Sequence, residues 1–96
     1  MAPKRLTHDE IQSALSQVDG WGMVEGREAI HRTYAFSDFK EAWAFMSKTA
    51  LKAEEMGHHP EWFNVYNRVE VTLATHDCAG LSKLDFELAA FMNAGA

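Results

Sequence analysis

Ser37-Asp38-Phe39-Lys40-Glu41-Ala42-Trp43-Ala44-Phe45-Met46-Ser47-Lys48-Thr49-Ala50-Leu51-Lys52-Ala53-Glu54-Glu55-Met56-Gly57 divides the chain into two halves, and its reading decides the fold. Ser37 is a good N-cap and Asp38 suits the positive end of a helix dipole. Phe39, Ala42, Trp43, Met46, Ala50 and Ala53 then recur at helical spacing. The stretch reads as the longest helix of the chain. It stops at Gly57, where a residue without Cβ takes up the left-handed conformation that ends a helix.

On the N-terminal side, Trp21 to Val24 and Ala29 to Phe36 read as strands flanking Glu25-Gly26-Arg27-Glu28, whose glycine supplies the positive φ of a hairpin turn. Ile30, Tyr34 and Phe36 share one face of the second strand, leaving His31, Thr33 and Ala35 on the other. Further upstream, Thr7 and Glu10 form a capping box, Leu6 and Ile11 a hydrophobic staple, and Ile11, Leu15 and Val18 an apolar stripe running toward a stop at Gly20.

On the C-terminal side, Trp62 to Tyr66 reads as a strand, Asn67-Arg68 as a turn, and Val69 to His76 as a strictly alternating strand. In that last strand Val69, Val71, Leu73 and Thr75 face the core, and His76 projects from the opposite face. Ser82 and Asp85 repeat the capping box, and Leu81 with Phe86 the staple, before a last helix that buries Leu84, Leu88 and Phe91. Two hairpins separated by one long helix predict an α+β domain over residues 1–96. It is a four-stranded antiparallel sheet with helices packed on one face, in the order α-β-β-α-β-β-α. Such a sheet keeps two edges, which favours self-association through an edge or a helix face.

Composition narrows the function. A chain of 96 residues has room for one core and one modest site, since folding at this size buries roughly 60 to 65% of the unfolded surface. A net charge of −5 and the lack of a Lys/Arg cluster argue against direct nucleic-acid binding. The single cysteine, Cys78, excludes an intrachain disulfide and a Cys-rich zinc site, in keeping with a reducing cytosol. Met1-Ala2-Pro3-Lys4-Arg5 leads into a polar segment with no apolar signal region, and no apolar run approaches the roughly 20 residues of a membrane span. The expected compartment is the cytoplasm, with the nucleus added if the source is eukaryotic.

Chemistry concentrates beyond the long helix. His58 and His59 stand side by side before Pro60, and His76 returns after the second hairpin. Imidazole has an unperturbed pKa of about 6.5, so these rings exchange protons at cellular pH. Pro60 biases His59 toward extended geometry, so both rings line one cleft only if the segment bends. The spacing matches no familiar metal-ligand pattern, so no metal is expected. His8 and His31 have no partner in view and read as structural. Asp85 reads first as a capping carboxylate and Glu54 as a solvated helix position. Trp21, Trp62 and Tyr66 read as core or half-buried aromatics, although an aromatic beside a cleft can stack on a flat ligand.

Glu54-x-x-x-His58-His59-Pro60-Glu61-Trp62-Phe63-Asn64-Val65-Tyr66-Asn67, followed by Thr75-His76-Asp77, Ala79-Gly80-Leu81-Ser82 and Asp85, closely resembles the pterin-4a-carbinolamine dehydratases, also known as dimerisation cofactors of hepatocyte nuclear factor 1. The similarity runs from about Gly20-Trp21 to the last helix. It implies a cofactor-free dehydration of 4a-hydroxytetrahydrobiopterin, the product of aromatic amino-acid hydroxylases, to quinonoid dihydrobiopterin. Carried over by position, the resemblance implies that His58 and His76 are catalytic, that His59 is catalytic and substrate-binding, and that Glu54 and Asp85 bind substrate; Trp21 joins the substrate-binding candidates as an aromatic able to stack on a flat ligand. The resemblance further implies a homodimer or homotetramer and, for an animal source, a transcription-factor partner bound independently of catalysis, which is the alternative reading. Gly57 stands where an acidic residue is common and Leu84 where a basic one often precedes the aspartate, departures that bear on affinity and tuning rather than on the reaction class.

Overall fold

In the computed structural model, which describes residues 3–96, the hydrophobic alternation of the second hairpin sets the centre of the molecule. The elements are α1 (His8–Leu15), β1 (Gly22–Met23), β2 (Ile30–Ala35), α2 (Phe39–Met56), β3 (Glu61–Val65), β4 (Arg68–Leu73) and α3 (Lys83–Gly95), with a 3-10 turn at His76–Cys78. The strands form one antiparallel sheet in the order β1-β2-β4-β3, so the last strand in sequence is central and β3 is an edge. Ile30 and Tyr34 of β2 and Val69, Val71 and Leu73 of β4 are buried, while His31, Thr33, Ala35, Arg68 and Glu70 between them are exposed. One face is thus covered, by α2 and α3, and the other left open. The expected fold class and element order are found. Among the described residues no helix is long and apolar enough to cross a membrane. The reading of the first two residues, Met1-Ala2, lies outside the described residues.

Several boundaries differ from expectation, each for a local reason. α1 ends at Leu15 rather than near Gly20, because Ser16 turns its hydroxyl back onto the Ser13 carbonyl at 2.6 Å and the chain continues in tight i→i+3 turns that still bury Val18. Gly20 serves a different purpose. It has φ +81°, and a Cβ there would lie 2.7 Å from the Arg32 guanidinium.

The cap of α2 is Asp38, not Ser37, since the Asp38 carboxylate accepts the Glu41 N–H at 2.8 Å. The buried stripe of α2 is Ala42, Phe45, Thr49 and Ala53. Phe39 and Trp43, expected inside, are 48% and 57% exposed and stack on each other, and Ala50 is exposed as well.

The β3–β4 turn is Tyr66-Asn67 rather than Asn67-Arg68. Tyr66 takes φ +49°, and the Asn64 amide secures the turn by donating to the carbonyls of Tyr66 and Arg68. β4 stops at Leu73, short of His76, because Thr75 and Gly80 pair with each other and close a tight loop around the 3-10 turn. In α3 the buried side chains are Asp85, Phe86, Leu88, Ala89 and Met92, with Leu84 and Phe91 half-buried at the margin.

Candidate active site

The site begins where α2 ends. Gly57 adopts φ +64° and ψ 32°, and the His58 N–H still donates to the Ala53 carbonyl at 3.0 Å, so the chain folds back over the last helical turn. This reversal is the bend that the His58-His59-Pro60 run needs to bring both rings to one opening. His58 is 7% exposed, and its Nε2 lies 2.6 Å from Asp85 Oδ1. His59 points outward, with Nε2 at 2.5 Å from Glu54 Oε1 one turn earlier.

Asp85 fulfils the capping reading, but it does not face the cavity where a substrate would sit, and it backs His58 instead. Its Oδ2 accepts the Ser82 N–H at 3.0 Å and the Thr75 hydroxyl at 2.7 Å, while Oδ1 faces His58. The carboxylate is completely buried, and its lone pairs are met from β4's exit, from the start of α3 and from the end of α2. A buried carboxylate is tolerated where such donors surround it.

His76 opens the 3-10 turn with its side chain 84% exposed, and its Nε2 lies 3.9 Å from Glu61 Oε2. Glu61, the first residue of β3, is gripped by both terminal nitrogens of Arg27 at 2.9 and 2.5 Å. These hydrogen bonds from Arg27 hold the Glu61 carboxyl below the usual carboxylate range.

His58, His59 and His76 line one open cavity of about 370 Å³ together with Glu61, Thr75 and Leu84. That volume falls in the range of roughly 300 to 1,000 Å³ usual for small-molecule sites. It presents three imidazoles and a carboxylate at one opening, a set suited to moving protons on a small polar ligand. Among the described residues, no three His, Cys, Asp or Glu side chains converge as a metal site.

The structure therefore brings together His58, His59, His76, Glu54 and Asp85. It does not bring Trp21 to them. Trp21 is 7% exposed in the core, and its indole N–H donates to Asn93 Oδ1 at 3.0 Å and to the Tyr34 hydroxyl at 3.2 Å. Asn93 follows Asp85 by eight residues along α3, a separation of about 12 Å at 1.5 Å per residue, and Trp21 does not line the cavity. Its polar edge is used up in holding the α1–β1 loop to β2 and α3. Conversely, Glu61 and Thr75 belong to the site without having been expected in it. Thr75 carried a signal, as a hydroxyl on a core-facing strand position needs a buried partner.

Comparison with known proteins gives matches along nearly the whole chain. The family model for pterin 4 alpha carbinolamine dehydratase matches residues 4–95. Proteins of Brucella ovis and Brucella canis, both carrying the provisional name pterin-4-alpha-carbinolamine dehydratase, are each 55% identical over 94 residues, which is 98% of this chain and 97% of theirs. The crystal structure of a transcriptional coactivator/pterin dehydratase from Brucella melitensis superposes with a TM-score of 0.95 at 55% identity, covering 97% of this chain and 99% of that one. With identity above one half along nearly full lengths, a family model matched over residues 4–95 and the same overall fold, this chain belongs to the pterin-4-alpha-carbinolamine dehydratase family.

Proposed function

We propose that this protein, working as one domain over residues 1–96, dehydrates 4a-hydroxytetrahydrobiopterin to quinonoid dihydrobiopterin by histidine acid/base catalysis. It would thereby return the pterin released by an aromatic amino-acid hydroxylase to a reducible form. The observation that carries the reading is the single cavity edged by His58, His59 and His76, with His58 set on the buried Asp85, in a chain of this family.

The chemistry needs two proton transfers. The C4a oxygen is protonated and leaves as water, the N5 lone pair assists its departure, and the N5 proton is removed; a water molecule is lost and no electrons are exchanged. Each assisted transfer is typically worth about 10² to 10⁴ in rate. His58 and His76 divide these tasks, while His59 and Glu54 anchor the pterin. Since Asp85 accepts at His58 Nε2, this nitrogen carries the hydrogen and Nδ1 is left to exchange a proton.

The proposal includes a cytoplasmic location and self-association as a dimer or tetramer, the latter supported by exposed Phe63 and Val65 on the edge strand β3 and Tyr66 just beyond it. Stopped-flow dehydration of freshly generated 4a-hydroxytetrahydropterin provides the test. The protein should accelerate the spontaneous reaction, and His58→Ala and His76→Ala should each lower kcat by about 10² or more. Full activity in both variants, or no acceleration by the unaltered protein, overturns the reading.

A further inference from the structure

We propose that Glu61, clamped by Arg27, is a positioning residue that holds the ring of His76 for the acid/base step. The inference rests on the dehydratase reading and adds two residues to its machinery.

The loop around His76 fixes its backbone but not its ring. Thr75 N–H donates to Gly80 at 2.8 Å, Gly80 N–H returns to Thr75 at 3.3 Å, and Ala79 N–H closes on the His76 carbonyl at 3.1 Å. With its side chain 84% exposed, the imidazole gains no rotational restraint from packing. Glu61 Oε2, at 3.9 Å, is the charged group that faces its Nε2. An exposed pair at that distance holds little by itself, because a mobile carboxylate cannot orient a mobile ring.

Arg27 changes this situation. A bidentate guanidinium fixes the plane of a carboxylate as well as its position. Arg27 belongs to the turn before β2, and Glu61 opens β3. Between those strands lies β4, so the clamp passes across the place where Ala74, Thr75 and His76 leave the sheet. His76 lies between two cavities: one shared with Glu61 and His58, and a second of about 370 Å³ shared with Arg27 and Glu28. The pair forms a bar between the two openings and sets the side toward which the ring turns. The hydrogen bonds from Arg27 also hold the Glu61 carboxyl below the usual carboxylate range, so the group facing His76 is an anion at neutral pH.

A plain structural brace would be satisfied by any ion pair in this place. A positioning role requires the carboxylate on the His76 side. The decisive variant is therefore the exchanged pair, R27E/E61R, compared with R27A and E61Q in wild-type and H76A backgrounds. We expect R27A and E61Q to lower kcat roughly tenfold or more, the range seen when a reacting group is misplaced, with KM little changed. R27E/E61R should restore the melting temperature but not kcat. Neither R27A nor E61Q should reduce the residual rate of H76A further.

Recovery of kcat in R27E/E61R, or an undiminished loss in the H76A background, overturns the proposal. Ring ¹H–¹³C spectra supply a readout that needs no turnover: the His76 resonances should shift in R27A and E61Q while those of His58 stay in place, and unmoved His76 resonances overturn it equally. An unaltered protein that fails to accelerate dehydration would defeat the dehydratase reading instead, leaving the spectra to decide the positioning.

Discussion

At the scale of single residues, Asp85 shows how one side chain can cap a helix and brace a histidine from another element. Its place three residues after Ser82 was legible as a capping box, and the box is present. Its contact with His58 was not legible from spacing, because 27 residues separate the partners and a fold must intervene to join them. Asp85→Ala should lower stability by about 3 kcal/mol, as it removes a buried acceptor from His58, Thr75 and the Ser82 N–H together. A shift of the urea midpoint at unchanged slope would register this loss. Arg27 and Glu61 were hidden for the same reason. Each reads locally as an ordinary surface charge, and only the strand order β2-β4-β3 makes them neighbours. Trp21 erred the other way. Its aromatic character allows stacking on a ligand, but the Asn93 and Tyr34 partners that hold it elsewhere are 72 and 13 residues away.

At the scale of elements, the helix ends were more readable than the helix faces. Gly57 was recognisable as a stop because few other residues accept its φ of +64°, and it is also what turns His58 inward. No atom lies within 4 Å of where a Cβ would be, so Gly57→Ala tests the backbone alone. It should cost about 1 to 2 kcal/mol, read as a fall in melting temperature. The face of α2 was misread because apolar residues surround much of the helix. The set through Phe39 and Trp43 fits a helical period as well as the set through Phe45 and Thr49, and packing against β4 and α3 chooses between them. β4 was read correctly over its core-facing residues, since alternation there is strict. Its end was misplaced because the Thr75–Gly80 pairing that stops it is a tertiary matter of loop closure.

At the scale of the whole molecule, the element order and the helix-covered face followed from pattern, whereas the order of strands in the sheet and the wiring that ties the segments together did not. Arg5 clamps Glu28 through two hydrogen bonds of 2.9 Å, and Glu28 also accepts the Leu81 N–H at 3.0 Å, joining the N-terminal segment, the first hairpin and the start of α3. A Cβ on Gly80 would overlap Glu28 Oε2, so Gly80→Ala should loosen all three. The carboxyls of Glu10, Glu28 and Glu61 are held below their ordinary 4.5 by hydrogen bonds from Thr7, Arg5 and Arg27 respectively. A lowered folded-state value means stability present above about 4.5 and lost as pH falls through the folded values. Tyr34 runs the opposite way: burial pushes its hydroxyl above 10.0, so its contribution is present below that value and lost as pH rises through the folded one. Melting temperature against pH should therefore form a plateau between about 5 and 10 that falls on both sides. The buried contact of His58 with Asp85 fastens the last turn of α2 to the first turn of α3. Neither end can fray alone, so the backbone amides of His58 and Ser82 should exchange with solvent at one common rate, and that rate reports how often the whole site opens.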